Sequence, residues 1–138
     1  MDLDGENPEL RAFASYCAGQ GGAFWVAERD GIMGTVAAVP APDAWEIKRL
    51  YVAQAERGTG LAQALLGVAG AYAAGRGAAR LELWSDTRFA RAHRFYEKMG
   101  YARFGEARAL GDASRSVEFG YAKGVSPASW APGAAGWR

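Results

Sequence analysis

The chain has 138 residues, half of them hydrophobic and 12% aromatic, and a formal net charge of +1. That length suits one domain, and the balanced charge excludes a broad basic face for nucleic acid. Cys17 is the only cysteine and His93 the only histidine, which excludes an internal disulfide and a multi-cysteine zinc site and argues against a His-based metal cluster.

Asn7-Pro8-Glu9 reads as a helix start, with an N-cap, a proline at the first helical position and an acid near the positive end of the dipole. Leu10, Phe13, Ala14 and Cys17 then share one face at helical spacing, and Gly19–Gly22 stops the helix. Residues 23–28 predict a strand. Asp30-Gly31 predicts a turn, and Ile32–Val39 the returning strand, broken by Pro40 and Pro42. Trp45–Ala53 alternates as a third strand. Leu61, Leu65, Val68 and Tyr72 repeat at helical spacing over 61–74. A strand at 80–84 and a helix marked by Phe89, Ala92, Phe95, Tyr96 and Met99 follow, and Gly100 closes that helix. Two further strands are expected at 101–107 and 115–123. The order is helix, three strands, helix, strand, helix, two strands: a mixed α+β domain over residues 1–125, with 126–138 expected as a disordered tail. No apolar run reaches bilayer length, and residues 1–15 carry Asp and Glu where a leader is basic and apolar, so the cytoplasm is the expected compartment.

The informative segment is Arg57-Gly58-Thr59-Gly60-Leu61-Ala62, ahead of the long helix. A helix N-terminus has free amides and a partial positive charge, and glycines let the preceding backbone curl so that several N–H groups meet one anion. A pyrophosphate fits such a cradle, and a glycine-rich turn without ligand is the bland alternative. A Walker A loop needs Lys-Ser/Thr where Leu61-Ala62 stand. The dinucleotide fingerprint needs Gly or Ala where Gln63 stands, and its acid, Glu82, falls inside a strand.

Arg57-x-x-Gly60-x-Ala62 resembles the Arg/Gln-x-x-Gly-x-Gly/Ala signature of the GNAT superfamily of acyltransferases. Glu46-Ile47-Lys48-Arg49-Leu50-Tyr51-Val52 resembles the strand leading into it. Ala92-His93-Arg94-Phe95-Tyr96-Glu97-Lys98-Met99-Gly100-Tyr101 resembles the family's second hallmark, Ala-x-x-Phe-Tyr-x-x-x-Gly-Phe/Tyr. The resemblance spans residues 8–123. It implies a splayed central sheet flanked by helices, with acetyl-CoA between the strands at 45–53 and 80–84. Backbone groups across Leu50, Tyr51 and Val52 would meet the pantetheine arm. Amides of Arg57, Gly58, Thr59, Gly60, Leu61 and Ala62 would hold the pyrophosphate. An amine would attack the thioester directly. Two features depart from the pattern. Phe89 stands where the family often has Asn, and the family's opening strand has no counterpart: the chain start is truncated, a neighbour supplies the cover, or the sheet lacks that edge, and an exposed edge would favour a homodimer or aggregation.

Acyl transfer needs a base for the amine and an acid for the leaving thiolate. Tyr96, protonated at neutral pH, is the candidate general acid; a core aromatic is its structural alternative. Glu46 is the candidate base, because strict alternation places Glu46, Lys48, Leu50 and Val52 on one face; a surface acid paired with Lys48 is the alternative. Asp86 is a candidate for binding a cationic amine, or an N-cap for the next helix. His93 is expected as a solvated helix residue, with Arg91 and Arg94, while Trp25, Trp45 and Cys17 are expected in the core. The competing functions are a dinucleotide-binding protein and a non-catalytic CoA-binding or sensory domain.

Overall fold

The computed structural model describes residues 8–111 and 116–125, with side chains from residue 12 onward. The expected N-cap Asn7, the Leu10 side chain and the tail at 126–138 lie outside the described residues.

Helix α1 (Pro8–Gly19) leads into strands β1 (Ala23–Glu28), β2 (Ile32–Ala41) and β3 (Ala44–Val52). A 3-10 turn at Gln54–Glu56 precedes α2 (Leu61–Gly75), followed by β4 (Arg80–Asp86), α3 (Ala90–Lys98), β5 (Ala102–Ala109) and β6 (Val117–Gly124). The predicted order holds element for element. Strand β2 runs through Pro40, against expectation. Pairing with β1 ends at Ala23–Ala38, so the proline's missing N–H falls beyond the ladder on that side. The reversal comes at Pro42-Asp43, where Asp43 takes φ 59 and Ala41 pairs with Ala44.

The six strands form one sheet in the order β1-β2-β3-β4-β6-β5. All neighbours are antiparallel except β3 and β4. Antiparallel hairpins need only short turns, whereas the parallel pair needs a crossover, which α2 supplies. Helices α2 and α3 cover one face. Their Leu65, Leu66, Ala69, Ala73, Phe95, Tyr96 and Met99 pack with Val36, Ala38, Ile47, Leu81, Leu83, Tyr101 and Tyr121. Each fully buried leucine in that layer contributes about 2–3 kcal/mol. Helix α1 covers the opposite face over β1 and β2, where Cys17 and Phe13 meet Ala37, Val39 and Phe24. Cys17 is fully buried, and Trp25 and Trp45 pack edge-on against Tyr72 at 5.1 and 6.0 Å, all as expected for core residues.

The sheet requires one close approach. A Cβ on Gly34 would stand 2.7 Å from the Tyr51 carbonyl oxygen and 2.8 Å from Leu65 Cδ1. Glycine there lets α2 settle directly on β2 and β3.

Candidate functional site

The parallel strands β3 and β4 pair only at Trp45–Leu81 and Glu46–Glu82. Beyond those two rungs β3 continues to Val52 and β4 to Asp86, and the strands diverge. The sheet is therefore splayed between them, toward the end where α2 begins.

The β3 side of the splay is irregular. Arg49 is left-handed at φ 54. Thr35 pairs with Tyr51 and Ala37 with Lys48, so three steps on β3 oppose two on β2. That is a β-bulge, and the Thr35 hydroxyl fastens it by donating to the Arg49 carbonyl at 2.7 Å. The bulge overturns the alternation expected from sequence. Residues paired across two strands point to the same face. Glu46 and Lys48 pair with Val39 and Ala37, which face α1, whereas Ile47, Leu50 and Val52 pack into the layer under α2 and α3. Glu46 thus lies on the opposite face from Leu50 and Val52, because the extra residue at Arg49 reverses the phase. Its carboxylate is 4.0 Å from Lys48 Nζ, which in turn lies 6.0 Å from the centre of the Tyr16 ring. Tyr51 is more than half exposed.

The loop between β3 and α2 has the expected form. Gly58 and Gly60 both take left-handed φ, 81 and 88. A Cβ at either would meet nothing within 4 Å, so the backbone angle and not crowding calls for glycine. The Thr59 hydroxyl donates to the Glu56 carbonyl at 2.6 Å and accepts a long 3.4 Å contact from Leu61 N–H. The first backbone bond of α2 runs from Ala64 N–H to Gly60 O at 3.0 Å. The amides of Leu61, Ala62 and Gln63 therefore stand ahead of the helical ladder, at the positive end of the dipole. This open, donor-rich turn fits a pyrophosphate, with the Arg57 guanidinium on the same turn.

The β4 side is regular, paired with β6 from Arg80–Gly124 to Asp86–Glu118. Its alternation sends Leu81, Leu83 and Ser85 inward. Tyr96, on α3, reaches the same place, beside the buried Ser85 hydroxyl. Burial pushes the Tyr96 phenol above its ordinary value of 10.0, and the neighbouring Ser85 hydroxyl opposes that rise. The ring lies 5.7 Å from that of Tyr121 and 6.4 Å from that of Tyr101. Sequence reasoning did not single out Ser85. The available signal was a hydroxyl in the inward phase of an otherwise apolar strand.

Asp86 neither caps α3 nor stands open. The helix N-cap is Phe89, with no side-chain cap bond. Asp86 folds the turn before it: Oδ1 accepts from Arg88 N–H and Nε at 2.8 Å each, and Oδ2 from Nη2 at 2.6 Å. That bidentate partner holds the carboxyl well down, at about 2. A cationic amine would have to displace Arg88. Arg91 and Arg94 are exposed as expected, but His93 is not solvated. It is only 9% exposed, and its ring Nε2 donates to the Asp86 carbonyl at 2.9 Å. The helix is amphipathic, and position 93 falls on the inward face one turn before Tyr96. Phe89, in the place where the family often has Asn, is 58% exposed.

Among the described residues no helix is long and apolar enough to cross a membrane, and no cluster of three or more His, Cys, Asp or Glu is placed to hold a metal ion.

Comparison with known proteins agrees with this geometry. Residues 20–103 match the family described as "Acetyltransferase (GNAT) domain". The chain is 34% identical over 100 residues to N-acetyltransferase 8 of Rattus norvegicus, covering 67% of this chain but only 45% of that protein. The fold superposes on the ribosomal-protein-alanine N-acetyltransferase of Brucella melitensis with a TM-score of 0.72 at 20% identity, over 91% of this chain and 80% of that one. A Bacillus anthracis protein solved in complex with acetyl coenzyme A gives 0.66 at 17% identity, over 76% and 63%. Acetyl-CoA fits this family as co-substrate. With the family's domain matched over residues 20–103, the chain belongs to the GNAT acetyltransferase superfamily.

Proposed function

We propose that this chain is an N-acetyltransferase that moves the acetyl group of acetyl-CoA to the primary amine of a small molecule or a peptide, by direct attack and without an acyl-enzyme. One observation supports the reading: a buried phenol, Tyr96, stands beside Ser85 on the β4 side of a splay whose other side has a donor-rich glycine turn at its end.

The amides from Arg57 to Ala62 hold the pyrophosphate. Backbone groups of Leu50, Tyr51 and Val52, turned out of register with β4 by the bulge, meet the pantetheine arm. The acetyl-CoA thioester supplies the activated acetyl group. Helices α2 and α3 fill one face of the sheet, so the acceptor comes from the other, where Glu46 lies. Glu46 takes the amine's proton, directly or through water. The amine nitrogen forms its bond to the carbonyl carbon, the carbon–sulfur bond breaks, and the thiolate takes its proton from Tyr96. The products are the N-acetylated amine and CoA. Asp86 is placed to draw in a second cationic group of the acceptor by exchanging its contact with Arg88. The outer edge of β1, unpaired among the described strands, gives a homodimer a route for strand pairing, and the cytoplasm is the compartment we assign.

Calorimetric titration with acetyl-CoA, beside NADH and ATP, tests the loop. Selective binding of acetyl-CoA is expected. A screen of amino acids, polyamines, aminoglycosides and short peptides, read as CoA release, then finds the acceptor. Binding with no turnover of any amine, equal in the parent and in Tyr96→Phe, would leave a CoA-binding module in place of an enzyme.

A further inference from the structure

His93 is buried, polar, and unused by the reaction above. It is the one buried residue of α3, a nine-residue helix. A helix this short has little stability of its own, and its N-cap Phe89 contributes no side-chain cap bond. Its placement must come from contacts with the sheet.

His93 makes two kinds of contact at once. Its Nε2 lies 2.9 Å from the Asp86 carbonyl oxygen, at the last residue of β4. A carbonyl only accepts, so Nε2 carries the proton. The same oxygen accepts from Phe89 N–H at 3.1 Å, so both of its lone pairs are engaged. The ring also lies 5.4 Å from Phe119 and 5.4 Å from Tyr121, both on β6. Tyr121 is 1% exposed and packs next against Tyr96 at 5.7 Å. Positions 93 and 96 are three apart, hence on the same face of the helix. The chain of contact is short: Asp86 carbonyl, His93, Tyr121, Tyr96, with Ser85 adjacent to Asp86 on the strand.

We infer that His93 is a positioning residue, whose bond to the Asp86 carbonyl sets the register of α3 on β4 and so holds the Tyr96 ring against Tyr121 at the splay. The inference rests on the reading of Tyr96 as the acid. An apolar residue at 93 would fill the space but leave the helix free to slide along β4. A shift of about 1 Å at a reacting group is enough to cost about a hundredfold in rate.

The test compares His93→Gln, which keeps an N–H donor, with His93→Met, which has nearly the same shape and none. The readout is the nuclear Overhauser contact between the Tyr96 and Tyr121 rings in the protein without ligand, with Ser85–Tyr96 contacts beside it. We expect the contact in the parent and in His93→Gln, and its loss in His93→Met at a thermal midpoint showing a folded protein. Should His93→Met not fold, His93→Leu takes its place. An undiminished contact in the folded apolar variant overturns the inference, as does failure of Gln to restore it. Turnover by Tyr96→Phe at the parental rate, with the amine found in the screen, overturns the acid role alone and leaves the positioning result to be read separately.

Discussion

β3 and β4 are parallel neighbours of similar length, yet they serve the site by different means. β3 is broken by a bulge at Arg49 and leaves β4 after two rungs. β4 is unbroken and fully paired with β6 on its other side. The irregular strand brings backbone N–H and C=O groups, which its divergence from β4 leaves out of the β3–β4 ladder. The regular strand brings side chains in strict alternation, Ser85 among them, and hands the chain to the helix that carries Tyr96. A long polar cofactor arm needs a row of backbone donors and acceptors, whereas proton transfer needs one group held at one point.

The largest expected effect separates the two sides. Tyr96→Phe should lower kcat about 10²–10⁴-fold while acetyl-CoA binding by calorimetry stays within a few-fold of the parent. Equal losses of kcat and affinity would mean that the β4 side also carries binding, and the division would fail. Thr35→Val removes the donor that fastens the bulge and leaves the Arg49 carbonyl short of a partner. Chemical denaturation should show a loss of about 1–3 kcal/mol, and acetyl-CoA affinity should fall with it. Unchanged affinity in a destabilised Thr35→Val would show that the bulge serves the fold alone. Gly60→Ala puts a side chain at φ 88 with nothing nearby to clash. The cost is backbone strain of about 1–2 kcal/mol, expected as weaker acetyl-CoA binding with little change in kcat.

The smallest effect is gradual. Burial raises the phenols of Tyr96, Tyr101 and Tyr121 in the folded chain. A group whose folded value is raised contributes stability that is complete below its unfolded value and is lost above it. Unfolding midpoints should therefore hold steady to about pH 10, the ordinary tyrosine value, and decline beyond it. Ser85→Ala removes the hydroxyl that holds the Tyr96 value down, so the Tyr96 phenol should titrate later still. An alkaline limb of kcat moving down in that variant would contradict the contact.

Much of this was legible in the sequence because it depends on local rules. Leu81 and Leu83 alternate, Leu61 and Leu65 repeat at helical spacing, and Gly58 and Gly60 announce a turn that only glycine adopts freely. The bulge was not legible, since nothing about arginine at position 49 signals a left-handed residue inside a strand. That one residue misdirected the reading of Glu46, which had rested on unbroken alternation. Asp86 was misread for a related reason: an acid before a helix resembles an N-cap, but Arg88 follows closely enough to claim it. His93 was misread because a lone histidine among Arg91 and Arg94 looks solvated until the face of its helix is known. In each case a partner brought in by the fold, and not the residue's own type, decided the outcome.

The position of β6 has a consequence for how the protein is made. Among the described strands it is the last to leave the ribosome, yet it lies between β4 and β5 and pairs with both. It also supplies Tyr121, the ring between His93 and Tyr96. Until residue 124 has emerged, one long edge of β4 is bare and α3 has no seat. A ribosome stalled before that point would hold a chain with every recognisable family motif already synthesised and no working site. The interval between the appearance of the motifs and the arrival of β6 is when a chaperone would be needed most.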